Sequence, residues 1–133
     1  MANGTIAFDT LSTSGQITSE PISIDTDYIA HGTSKSWIHF NGSSTVAIKE
    51  SLNISSLTDV NTGQYLTIFT NNKDSTLFCA DSSTRGDGSN NNNQTGACKI
   101  AATSQVEFSS FTCSDGAAAD LAQNFGHTMG TLA

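Results

Sequence analysis

A chain of 133 residues has the length of one domain, and a domain of this size buries roughly two-thirds of the surface its unfolded chain exposes, enough for a genuine core. Hydrophobic residues make up 36% and charged residues 13%, and Ser, Thr and Asn fill the gap, so the expected surface is polar, mostly uncharged and suited to hydrogen bonding with protein or sugar. The net charge of −7, with cations scattered singly at Lys35, Lys49, Lys73, Arg85 and Lys99, leaves no basic patch for phosphates and argues against a nucleic-acid partner. No apolar run reaches bilayer-spanning length, and the start MANGTIAFDT lacks the basic and apolar parts of a signal peptide, so the expectation is a non-membrane protein made in the cytoplasm.

Period-two alternation recurs along the chain and helical i, i+3, i+4 periodicity does not, which predicts a single all-β domain over residues 1–133. The expected strands are 5–9, 22–29, 35–40, 45–53, 65–70, 76–80, 97–102, 105–112 and 121–125, with residues 1–20 as an N-terminal strand or arm. Asn41-Gly42 is a hairpin signal, and Thr62-Gly63 and Asp115-Gly116 are turn sites. Residues 117–121 are rich in helix formers and offer a helical turn as the alternative to a hairpin there. The polar, low-complexity segment 81–96 reads as a long exposed loop, with Arg85, Asp87, Asn90, Asn91 and Asn92 as its contact residues.

Two strands carry bulk on both faces. In KSWIHF, Ser36, Ile38 and Phe40 share one face and Trp37 and His39 the other; in QYLTIF, Leu66 and Ile68 oppose Tyr65 and Phe69. A strand apolar on both sides needs two covers, supplied by a second sheet or by a neighbouring subunit. Trp37, Ile38, Phe40, Ile48, Tyr65, Ile68 and Phe69 are therefore the expected core or interface residues.

From residue 23 to 71 the chain reads SIDTDYIAHGTSKSWIHFNGSSTVAIKESLNISSLTDVNTGQYLTIFTN. This resembles a module of tailed-bacteriophage virion structural proteins, of marine phage type and often labelled tail fibre. Lys35, Trp37, Phe40, Asn41, Gly42, Val46, Ile48, Ser51, Asn53, Ser55, Ser56, Asp59, Gly63, Tyr65 and Phe69 carry the likeness in register; Leu52 stands where the family usually has Phe, and Lys49 where it has Arg. Beyond Asn71 the likeness fades. The resemblance implies a β-rich module, trimeric and without catalysis, and the fold expected is an antiparallel sandwich of jelly-roll type. The motif residues have a structural rationale as well: Asn53, Ser55 and Ser56 satisfy backbone groups where a strand ends, and Asp59 to Gly63 form the next turn.

The chemistry-bearing residues point elsewhere only weakly. His31, His39 and His127 show no ligand spacing, although a trimer axis would gather three copies of His39 or His127 around an ion. No G-x-S-x-G elbow occurs, and Asp25 and Asp27, two apart on a strand, are the one carboxylate pair of the kind glycoside cleavage uses. Cys79, Cys98 and Cys113 form an odd set without C-x-x-C spacing and read as small buried apolar residues, with a Cys79–Cys98 bridge left open. Arg85-Gly86-Asp87 reads as coincidence, and the loop's carboxylates and amides do not fit a calcium loop. The expectation is a non-enzymatic virion protein without cofactor, metal, nucleic-acid or membrane partner. The resemblance further implies a homo-oligomer, trimeric, placed on tail or capsid surface beside other virion proteins. Its expected role is a short tail fibre or appendage that meets a host glycan or protein. A capsid decoration protein is the alternative, and a free carbohydrate-binding protein the third reading.

Overall fold

The computed structural model describes residues 32–86 and 94–133. The expectations for strands 5–9 and 22–29, for Asp25, Asp27, Tyr28 and His31, and for Asp87, Asn90, Asn91 and Asn92 lie outside those residues. The described residues form β1 (Ser34–Asn41), β2 (Ala47–Leu52), β3 (Ile54–Asn61), β4 (Gln64–Phe69), β5 (Cys79–Arg85), β6 (Gln94–Ala102), β7 (Gln105–Thr112) and β8 (Gln123–Met129). They make two antiparallel four-stranded sheets, β2-β1-β8-β5 and β3-β4-β7-β6.

The sheets face each other because period-two alternation gives each one apolar side. Ser36, Ile38 and Phe40 of β1 are buried, as are Tyr65, Thr67 and Phe69 of β4 and Val106, Phe108 and Ser110 of β7. The Phe40 and Tyr65 rings meet edge to face, with centroids 4.9 Å apart, and join the two layers. Each such fully buried side chain contributes about 1.5–3 kcal/mol. Several polar residues on the inner faces are paired: Ser36 and Thr128 hydroxyls lie 2.5 Å apart, and Thr67 Oγ1 donates to the Val106 carbonyl at 2.9 Å, whereas Thr84 Oγ1 is buried without a partner. At Gly126 the packing admits no side chain, since a Cβ there would lie 2.4 Å from the Phe108 ring.

The turn chemistry of the motif is largely structural. Asn53 alone turns the chain from the first sheet to the second, with φ at +57°, a left-handed conformation that Asn tolerates better than most residues. Its Nδ2 donates to the carbonyls of Lys35 and Asn71, while its Oδ1 accepts from Asn71 N–H at 2.7 Å. Ser55 Oγ donates to the Ile68 carbonyl at 3.1 Å. The Asn41-Gly42 hairpin exists, but as a longer loop over 42–46 in which Ser44 takes the positive φ. Gly42 serves a different end: a Cβ there would lie 2.3 Å from the Tyr65 hydroxyl, which donates to the Gly42 carbonyl at 3.0 Å. Gly63, with φ at +65°, makes the β3–β4 turn as expected.

Several expectations are corrected. Residues 54–61 form β3, because an edge strand needs only one apolar side and tolerates the polar ISSLTDVN; Asp59 is therefore a strand residue, and Asn61 opens the turn by accepting from Thr62 N–H. The strand expected at 76–80 lies at Cys79–Arg85, since Leu77 is 93% exposed and Phe78 turns inward against Gly130. The long loop expected at 81–96 is thus strand at both ends: Asp81–Arg85 belong to β5 and Gln94–Gly96 to β6. Arg85 is an exposed strand residue rather than a loop tip. Residues 117–121 are not helical; Ala118 bridges Phe111 across the Cys113–Asp115 turn. Ile48 is 38% exposed on β2, an edge strand, so it is not core. Trp37 and Ile68 are half-buried on the outer faces. The cysteines are free, Cys79 and Cys113 exposed and Cys98 half-buried, which overturns their reading as fully buried.

Candidate functional site

The outer face of the first sheet carries an unusual set of side chains. Register places Leu52, Trp37, His127 and Asp81 in one row across β2, β1, β8 and β5, and Glu50, His39, Phe125 and Ser83 in the next. His39 and Phe125 stack, with ring centroids 4.3 Å apart and planes 18° from parallel. Burial against this face, reinforced by nearby Lys49, holds the His39 imidazole below its ordinary pKa, with Glu50 pulling the other way. His39 Nε2 is buried without a hydrogen-bond partner.

Between β8 and β5 the same face dips into a depression of about 180 Å³ lined by Asp81, Ser82, Ser83, Phe125, Gly126 and His127. Four of these project outward; Gly126 and Ser82, whose Cα positions are paired between them, form the floor. Asp81 Oδ1 accepts from Ser82 N–H at 2.8 Å. Phe125 is 39% exposed.

A second feature lies along the edge made by β2 and β3. Ile48, Leu52 and Val60 are all exposed there, on strands that have no neighbour on one side. Exposed apolar edges are the surfaces that proteins pair, cover or protect with charge.

Inside the sandwich, Lys73 stands apart chemically. Its side chain is 1% exposed and its Nζ has no hydrogen-bond partner. The amine sits over the rings of Phe69 and Phe78, 5.3 and 5.5 Å from their centroids, so the attraction of a cation for aromatic faces partly replaces lost hydration. Burial, with Lys35 nearby, lowers its pKa, opposed by Asp74. Tyr65 is displaced upward by burial and by its hydrogen bond to Asp120 at 3.0 Å. The Asp120 oxygen also accepts from Gly63 N–H at 2.6 Å, so it braces the β3–β4 turn.

Of the residues singled out in the sequence, Ile38, Phe40, Tyr65 and Phe69 gather in the core, Trp37 and His39 share the outer face of the first sheet, and Ile48 lies on its edge. Phe125, Asp81 and Ser83 escaped notice for this face because they come from strands remote in sequence, in segments that carry no motif. Among the described residues no group of three or more His, Cys, Asp or Glu side chains is placed to hold a metal ion, and His39 and His127 lie in separate rows. No helix among the described residues is long and apolar enough to cross a membrane. No protein-family model, curated protein or solved structure matches the chain.

Proposed function

We propose that this protein is a non-enzymatic structural subunit of a tailed-bacteriophage virion, a short tail fibre or appendage that contributes to host attachment. The observation that carries the reading is the run of motif residues from Lys35 to Phe69. They occupy β1 to β4, which supply half of each sheet, and their polar members act at corners and turns: Asn53 between the sheets, Ser55 on the Ile68 carbonyl, Gly63 at the β3–β4 turn. A motif spent on folding suits a structural module that keeps its frame and varies its surfaces. The paired first and last described strands, in two sheets of four, suit a sandwich of jelly-roll type.

Self-association follows the β2–β3 edge in this reading, where Ile48, Leu52 and Val60 offer apolar area to a neighbouring copy; a trimer is the assembly the resemblance implies. A capsid decoration protein is the second reading, favoured by the described residues forming one sandwich with no fibrous extension among them. Gold-labelled antibody against the protein on intact virions tests both. Label on the tail supports attachment, label over the head supports decoration, and virions without label overturn the virion reading.

A further inference from the structure

The stacking of Phe125 has a directional consequence. His39 is its register partner on β1, and Ser83 its partner on β5. Strands lie about 4.8 Å apart, so two nearly parallel rings with centroids 4.3 Å apart stand upright between their strands. One face of Phe125 is therefore occupied by His39, and the other looks toward β5. Ser83 there is too small to cover it. Among the described residues nothing stacks on that face, and Phe125 lines the depression together with Asp81, Ser83 and His127.

We infer that this depression is a binding site for one pyranose residue of a glycan. The chemistry of the walls selects it. One side of a pyranose ring presents C–H groups, apolar and weakly positive, to the negative face of an aromatic ring. Its hydroxyls each donate and accept, and here a carboxylate accepts, a hydroxyl does both, and an imidazole supplies a further partner. An ammonium ligand would only donate and would find one aromatic face, not a cage. The volume of about 180 Å³ lies below the roughly 300–1,000 Å³ of sites for drug-sized ligands, which restricts the occupant to one small ring rather than an oligosaccharide. The site lies at the β8–β5 end of the sheet, away from the β2–β3 edge, so self-association there leaves it open. The inference rests on the attachment reading for its biological sense and on the depression alone for its chemistry.

Trp37 is the chain's single tryptophan and the cross-strand partner of His127, so its fluorescence reports on the site. The full chain is titrated with the methyl glycosides of glucose, galactose, mannose and N-acetylglucosamine, and with choline chloride as a cationic control. The expected result is saturation by at least one glycoside at millimolar concentration, with Phe125→Ala and Asp81→Asn weakening it by about tenfold or more. Ser83→Leu, at an exposed strand position, fills the depression without adding a second fluorophore and abolishes the response, while Lys99→Gln on the other sheet changes nothing; circular dichroism checks that each variant is folded. No saturation by any glycoside, saturation by choline alone, or a folded Phe125→Ala that binds as the parent does would overturn the site. Label on the tail with no glycoside response overturns the sugar site alone. A saturable response from a protein absent from virions overturns the attachment reading and leaves the site standing.

Discussion

The two outer faces of the sandwich are built on the same backbone plan and differ in kind. Outward residues of the second sheet are mostly polar or aliphatic, such as Ser56 with Ile68, Thr58 with Leu66 and Lys99 with Glu107, with Phe111 opposite Thr95 as the one aromatic ring among its described strands. The first sheet turns Trp37, His39, Phe125 and His127 outward over β1 and β8, its two central strands. Both sheets achieve their mutual burial with the opposite set of side chains, so the outer face is free to vary without altering the core. The rings on the first sheet are thus a surface property rather than a requirement of folding, and the two classes of aromatic residue should separate under substitution.

The largest effect should come from the inner face. Phe40→Ala should cost roughly 3–5 kcal/mol, whereas Phe125→Ala, losing a partly exposed ring and one stack, should cost about 1 kcal/mol. Urea denaturation of the two variants measures the gap directly; equal losses would mean that Phe125 belongs to the core and would erase the distinction between faces. Trp37 lies between these limits: a loss of about 3–5 kcal/mol in Trp37→Ala would make the outer row as structural as the inner one.

A corner should rank next. Asn53→Ala places an ordinary residue in a left-handed conformation and strips the hydrogen bonds that join Lys35 to Asn71, for an expected loss of about 2–3 kcal/mol. Asn53→Gly relieves the backbone and keeps only the second deficit, so its thermal midpoint should fall between those of the parent and the alanine variant. Identical midpoints for the two substitutions would assign the whole effect to the side-chain bonds.

Lys73 sharpens the contrast from within the core. Its pKa is lowered in the folded state, so over the interval up to the ordinary lysine value the unfolded chain binds more protons and stability rises with pH. Thermal melts should show this rise from neutral to alkaline pH and a flatter profile in Lys73→Met, which removes the buried charge while filling similar volume. A steeper rise in the methionine variant would show that other groups govern the alkaline limb.

The smallest effect belongs to His39. Its lowered pKa means that the folded state resists a proton the unfolded chain accepts, so stability is present above the ordinary histidine value and is lost as pH falls through the folded one. His39→Gln should flatten the stability profile below about pH 6.5. The imidazole resonances followed by NMR should give a midpoint for His39 below the ordinary value; a midpoint above it would reverse the sign.

How much of this was legible in sequence depends on where each residue gets its constraint. KSWIHF and QYLTIF state their own faces, because a side-chain period of two follows from strand geometry alone, and the buried set Ser36, Ile38, Phe40 and Tyr65, Phe69 matches that alternation. Gln105–Thr112 was legible for the same reason. β3 and β5 were not: edge strands satisfy their backbone on one side only and bury little, so their polar residues imitate a loop. Asn41-Gly42 signalled a hairpin correctly, but its glycine is required by the hydroxyl of Tyr65, which only packing brings there. The aromatic pair on the first sheet was equally hidden, since His39 and Phe125 stand far apart in the chain.

Sequence by itself determined that the described residues are all-β, which side chains of β1 and β4 share a face, and where several of the turns fall, since these follow from alternation and from the backbone preferences of Asn and Gly. Only the tertiary structure decided which strands neighbour which. That arrangement put a small serine beside the free face of Phe125 and a glycine under Phe108, because cross-strand contacts arise from register between distant segments and leave no local mark in the order of residues.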